Sequence, residues 1–307
     1  MNEDMKNRST MEILTKTMPM IMVRMGANIL KGVIAFLVFG IFFGIGAALR
    51  KMTHGRFDPT IFTFIAVIAV MAVVYFINHW VMYLIKAGHV SVIAYYMAYG
   101  CLPEEGQVEY AKRTVKENFI TTNVGFGFDS LIRGATNQGL SVLNRVEDFL
   151  DFIPGIGTFM WIVKFFIKTV TNYVDEAVMA YIYIKNDESN VWKKTADGIV
   201  LYVQNWKAIF KASAKVAIGV VAIKAFMLFL IIGFLTPLMH SKGFFIGIIV
   251  AILLWAIISA TFIEPVVVII MIKDYIYASS QSEVSYDLYG QMQDCSSKFK
   301  EIVSRSI

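Results

Sequence analysis

The chain has 307 residues, 57% hydrophobic and 17% charged, with a net charge of +5 and a mean hydropathy of +0.61. A soluble domain averages about 45–50% apolar and about 25% charged residues, so an ordinary water-soluble globule does not fit. No basic cluster is interleaved with exposed aromatics, which sets aside a nucleic-acid surface.

The apolar excess is concentrated in four runs, residues 28–49, 61–85, 216–238 and 244–272. Each can cross the roughly 30 Å hydrocarbon core as a helix, which takes about 20 residues. The expected fold is therefore all-α. It is a polytopic membrane protein with two transmembrane helical hairpins flanking a central amphipathic, partly membrane-embedded helical segment.

Residues 1–10 are polar. Within 1–26, Met11, Ile13, Leu14, Met18, Ile21, Met22 and Met25 recur at helical spacing, with Glu12, Lys16 and Arg24 between them. This predicts an amphipathic interfacial helix that Pro19 bends or restarts. Its methionine face packs on lipid or on its own bundle, or meets a protein partner. The first 26 residues mix acids and bases and lack a small-residue cleavage site, so the first run reads as an uncleaved insertion signal.

Residues 27–86 form the first hairpin, turning through His54-Gly55 and Asp58-Pro59. Gly40, Gly44 and Gly46 would let helices approach closely, with packing inside the chain as the expectation. Asn78 and His79 lie beside Trp80 and Tyr83 near the cytoplasmic end of the second run and read as an interfacial anchor.

Residues 87–210 are too polar for simple spans and too apolar for a loop. Helices are expected over 104–122, 131–152, 173–185 and 191–211. Between them, 152–184 either lies on the surface or enters the bilayer as a long or re-entrant helix, hinged at Pro154, Gly155 and Gly157. Residues 211–278 make the second hairpin, turning at 239–242 with Gly243 and Gly247 beside the turn, and 279–307 form a cytoplasmic tail. Arg50, Lys51 and Arg56 lie in the first turn and Lys242 in the second. Nearly all other Lys and Arg lie in the tails and centre. The positive-inside rule then places both termini in the cytoplasm, the protein in the plasma (inner) membrane; the three positives of the first turn pull the other way.

Charges inside spans point to function. Lys224 lies in the third run and Glu264 in the fourth, directly before Pro265. Turning at 240–241 puts Lys215 level with Glu264 on antiparallel neighbours, with Lys224 roughly 10 Å shallower at 1.5 Å per residue. Lys215, Lys224, Glu264 and Pro265 are thus either a register-fixing ion pair or the polar vestibule of a solute path. Asp175 and Glu176 open a predicted helix, where they are ordinary dipole partners or a cation site. No catalytic signature, metal spacing or cofactor loop is present, and no enzymatic activity, cofactor or metal is expected. Cys101 and Cys295 read as unpaired thiols.

Three stretches carry a family resemblance. They are residues 126–132, running Phe126, Gly127, Phe128, Asp129, Ser130, Leu131, Ile132; the helix start at Asp175, Glu176, Ala177 leading to Ala180, Tyr181, Ile182, Tyr183; and Asn205-Trp206-Lys207 before two spans and a polar tail. From Phe126 onward the chain resembles the C-terminal half of the choline transporter-like family. The resemblance implies transport and assigns no binding residue. Two functions follow as expectations. One is a transporter or channel-like protein for a small polar or cationic solute, working as a homo-oligomer because four spans alone enclose little space. The other is a non-transporting scaffold or accessory protein whose amphipathic helices organise lipid or partner proteins.

Overall fold

The computed structural model describes residues 8–56, 58, 60–120, 127–142, 171–185, 190–236 and 244–306. Among these every regular element is helical. The helices are α1 (Thr10–Lys16), α2 (Met18–Met52), α3 (Thr60–Ile77), α4 (Tyr83–Tyr99), α5 (Gln107–Val115), α6 (Phe128–Val142), α7 (Val174–Ile184), α8 (Val191–Gln204), α9 (Trp206–Leu235), α10 (Phe244–Ile258), α11 (Glu264–Ser280), α12 (Tyr286–Cys295) and α13 (Ser297–Ser304). Wider π-turns, Asn78–Met82 and Ser259–Ile263, carry α3 into α4 and α10 into α11; a third, Lys116–Ile120, follows α5. Three continuous helices, Met18–Met52, Thr60–Tyr99 and Val250–Ser280, are long and apolar enough to cross a membrane, and Gly219–Leu235 within α9 is a shorter apolar piece. The aromatic stretch 91–99 is thus the end of the second long helix, because nothing between Tyr83 and Tyr99 breaks the backbone bonding.

Local chemistry sets the boundaries. Ser9 caps α1 by accepting from the Glu12 amide at 3.0 Å, and the Ser-x-x-Glu spacing is that of a capping box. The helix stops at Thr17 and restarts at Met18, with Pro19 in the new first turn where its missing N–H costs nothing. The first hairpin turn is a Schellman closure: Gly55 N–H donates to Arg50 O (2.9 Å) and His54 N–H to Lys51 O (3.3 Å). His54 and Gly55 both have positive φ, 51° and 84°. Asn190, Ser285 and Ser296 cap α8, α12 and α13.

The chain divides into two compact units. One holds residues 22–86 and 226–262; the other holds 1–21, 87–225 and 263–307. The first unit is apolar outside. Ile29, Leu37, Phe64, Ile68, Phe229 and Phe234 are all exposed, and only 11% of the most apolar window of the Thr60–Tyr99 helix is buried. A water-soluble fold would bury such side chains; a lipid-facing one presents them. Among the described residues nothing lies within 4 Å of a Cβ placed on Gly40 or Gly44, whereas a close helix approach is made by Gly32, where a Cβ would lie 2.7 Å from Ile257 Cδ1. Among the described residues, the expected packing inside the chain is thus found at Gly32 and not at Gly40 or Gly44. Spacing alone says that a backbone can be approached, not from which face.

The second unit has the opposite pattern, with its apolar residues inside. Helix α8 is its axis, and α6, α7, α11, α12 and α13 pack on it. Val191, Trp192, Ala196, Ile199, Val200, Leu201, Tyr202 and Val203 are buried along α8. Gly198 marks its closest crossing: a Cβ there would stand 3.2 Å from both Tyr181 Cδ1 and Val178 Cγ1. The Tyr275 hydroxyl donates to the Gly198 carbonyl at 2.9 Å.

In the same unit α1 packs on α11, with Ile13 fully buried. The Arg8 guanidinium donates to the carbonyls of Tyr96 and Met97, 2.9 Å to the latter, which puts a cation on the negative end of α4. Gly100, at φ 75°, leaves room for it: a Cβ would come within 2.6 Å of Arg8 Nη2. The Tyr96 hydroxyl donates to Glu12 Oε1 at 2.6 Å. That bond, with smaller help from the Ser9 backbone and the Arg8 charge and against some desolvation, holds the Glu12 carboxyl below its ordinary value. A depressed acid contributes stability that is full above the ordinary carboxylate range and lost as pH falls through the lowered value. Glu12→Gln should therefore melt like wild type in strong acid and below wild type near neutrality, read by thermal melting across that window.

Candidate functional site

A cleft of about 690 Å³ opens in the second unit, within the roughly 300–1,000 Å³ of small-molecule sites. Helix α7 contributes Tyr181 and Lys185, α8 contributes Lys193 and Asp197, α11 contributes Ser279 and Ser280, and the segment into α12 contributes Glu283, Tyr286 and Tyr289. The site is built because α8 carries Asp197 one residue before the tight crossing at Gly198, so the carboxylate stands at the seam between packed helices. Asp197 is half-buried, while Lys193 and Glu283 are exposed at the rim. Burial, then the nearby Asp197 charge, pushes the Tyr289 phenol up. Lys185 Nζ lies 6.0 Å from the Tyr181 ring centroid, at the range where a cation feels the ring face. Tyrosine faces beside carboxylates can hold a cationic group, and the rim lysines can hold an anionic one.

A second charged cluster is structural in character. Asp175 and Glu176 are 0% and 2% exposed at the start of α7. Arg133 of α6 reaches them: its Nε is 3.9 Å from Asp175 Oδ1, and its Nη2 pairs with Asp129 one turn back. Burial pulls the Arg133 pKa down, but Asp175, Asp129 and Glu176 together outweigh it and the net shift is upward. The Tyr202 phenol is pushed up by burial and then by Glu176 and Asp175.

A polar node lies in the first unit. Lys31 Nζ donates to Asn28 Oδ1 and to Asn78 Oδ1, both at 2.9 Å, and Asn28 Nδ2 donates to the Ala260 carbonyl at 3.2 Å. Lys31 and Asn78 lie 24 and 23 residues from Gly55, so the pair closes the first hairpin symmetrically about its turn. Asn78 opens one π-turn and Ala260 sits in another. Such turns widen the helix and often mark functional positions.

Of the residues singled out from sequence, Glu264 and Pro265 stand together at the start of α11, the first half-buried and the second buried. Lys224 is half-buried on α9, and both it and Glu264 are partnered. Lys215 lies on α9. Pro154, Gly155 and Gly157 lie outside the described residues, as does most of the 152–184 segment. Its described end, α7, is packed in the second unit's core. Cys101 and Cys295 are free and exposed. Sequence reasoning missed Arg133, Asp197, Lys31 and Asn28. Asp129 and Arg133 stand four apart, and Lys31 interrupts an apolar run; both signals were visible. Asp197 had none, because its importance comes from helices distant in sequence. No protein family, curated protein or solved structure matches the chain.

Proposed function

We propose that the protein is a membrane transporter or channel-like protein for a small polar or cationic solute, with the cleft around Asp197 as its binding station. The cleft itself carries this reading. It has the volume of a small-molecule site and places tyrosines beside a half-buried carboxylate. One wall is α11, which continues through a π-turn from the apolar α10. A solute that rearranges α11 would therefore act on a helix continuous with a candidate span. In this reading the protein is an integral protein of the inner membrane, its termini are cytoplasmic and it works as a homo-oligomer.

The test is flux of small cations and zwitterions into proteoliposomes. Wild type should exceed empty liposomes. Asp197→Asn should fall at least about tenfold, the scale of losing one charge-assisted contact of roughly 1.5–3 kcal/mol. Glu264→Gln and Lys224→Met test the vestibule. Background flux in all four would defeat transport and leave the scaffold reading. That reading has one observation of its own: Lys31, Asn28, Asn78 and Ala260 hydrogen-bond one another, as residues that only fix helix register would.

A further inference from the structure

The cleft around Asp197 presents hydrogen-bond acceptors along its α11 side. Ser279, Ser280 and Ser282 line it, and each commits its hydroxyl hydrogen inside the protein. Ser279 Oγ donates to the Ile276 carbonyl at 3.1 Å and Ser280 Oγ to the Tyr277 carbonyl at 2.8 Å. Ser282 Oγ donates to Asn205 Oδ1 at 3.0 Å, and its other acceptor, the Ala278 carbonyl at 3.5 Å, is also internal. Asn205 Nδ2 donates to the Leu201 carbonyl at 2.9 Å, so the Asn205 oxygen is the atom that accepts from Ser282. A hydroxyl whose hydrogen is committed keeps only lone pairs for a ligand. Ser280 also accepts from Gln281 Nε2 at 3.3 Å, which leaves Ser279 and Ser282 as the stronger acceptors.

The carboxylates of Asp197 and Glu283 add further acceptors. Asp197 is already partnered within the protein, and the roughly four lone-pair sites of a carboxylate leave room for more. The cleft's cationic donors, Lys185 and Lys193, are exposed at its rim. The tyrosine rings, by contrast, are largely committed to neighbours. A quaternary ammonium has no N–H to give and is held by a cage of aromatic faces. Tyr181 packs edge-to-face with the buried Tyr275 at 6.4 Å, and Tyr289 does so with the buried Phe299 at 5.1 Å. Tyr286 stands 89% exposed.

We propose, resting on the reading of the cleft as a binding station, that it selects cations carrying N–H donors, a primary ammonium or a guanidinium, over quaternary ammonium ions of the same chain length. The charges of Asp197 and Glu283 attract both kinds. Only the N–H cation also bonds the serine oxygens. A quaternary ion takes water from those oxygens and gives nothing back, which leaves polar atoms unsatisfied.

The experiment uses the full chain in a non-ionic detergent, with butylammonium and butyltrimethylammonium as probes titrated by saturation-transfer NMR. Wild type should bind butylammonium about tenfold more tightly. Ser279→Ala with Ser282→Ala should cut that ratio to about two by weakening butylammonium alone. Asp197→Asn should weaken both probes, because both carry the charge. Equal affinities in wild type, tighter binding of butyltrimethylammonium, or a serine variant that keeps the wild-type ratio overturns the proposal. In each of those cases a loss of binding in Asp197→Asn still upholds the cleft as the station. Binding of neither probe, or binding untouched by Asp197→Asn, removes the station and the selectivity with it. Should the double variant fail to fold, Ser279→Ala alone decides, and a wild-type ratio there sinks the idea.

Discussion

Gly198→Leu is expected to be among the most destabilising single changes in the second unit, at about 3 kcal/mol. The position has no slack. A bare Cβ already meets Tyr181 and Val178 at 3.2 Å and the Tyr275 hydroxyl at 3.3 Å. These distances are tighter than ordinary van der Waals contact. A leucine would force α8 away from α7 and α11 together and break the hydrogen bond from Tyr275 to the Gly198 carbonyl. Alanine is the informative control. It gains about 1 kcal/mol of helix propensity over glycine and strains the contacts by only a few tenths of an ångström. Its net effect should fall within about 1 kcal/mol of zero. In thermal melts of detergent-solubilised protein, leucine should lower the midpoint by about 5–10 °C and alanine by a few degrees at most. A leucine variant that melts like wild type would mean that the three helices do not meet at this point.

Arg133→Met should cost about 2–3 kcal/mol. Removing one partner of a buried pair costs about 3–5 kcal/mol, because the other charge is left stranded. Arg133 keeps 34% of its side chain exposed, so solvent screening reduces the figure. The loss should act mainly at Asp175, whose side chain is fully buried. In the double variant with Asp175→Asn, part of the stability should return, because the stranded charge is gone; additive losses would show that the pair is not coupled. Arg133→Lys should fall between the two, since it keeps the charge but not the fork that spans Asp129 and Asp175. The sign with pH is simple. A raised arginine contributes stability that is full below its unfolded pKa and lost only as pH rises through the folded one. The contribution should therefore be constant across the neutral range.

The physical class of this protein was legible in its residues. Apolar length and helical period are local properties: a run such as 61–85 needs a helix and a lipid-like environment whatever surrounds it. Capping at Ser9, the restart at Pro19 and the turn at His54-Gly55 are local in the same sense, because each rests on hydrogen bonds spanning three to five residues. The candidate sites were legible only in part. Glu264 and Lys224 announce themselves as charges in apolar runs, and Asp175 and Glu176 as acids opening a helix. That Arg133 reaches Asp175, that Lys31 bridges Asn28 and Asn78, and that Asp197 faces Tyr289 across a cleft are matters of tertiary structure alone. Which glycine is approached also followed from the fold, since Gly40 and Gly44 have the favoured spacing yet Gly32 makes the contact. A helix exposes every face equally to a reader of its sequence. Only packing decides which face is covered, and partners distant along the chain meet through that choice.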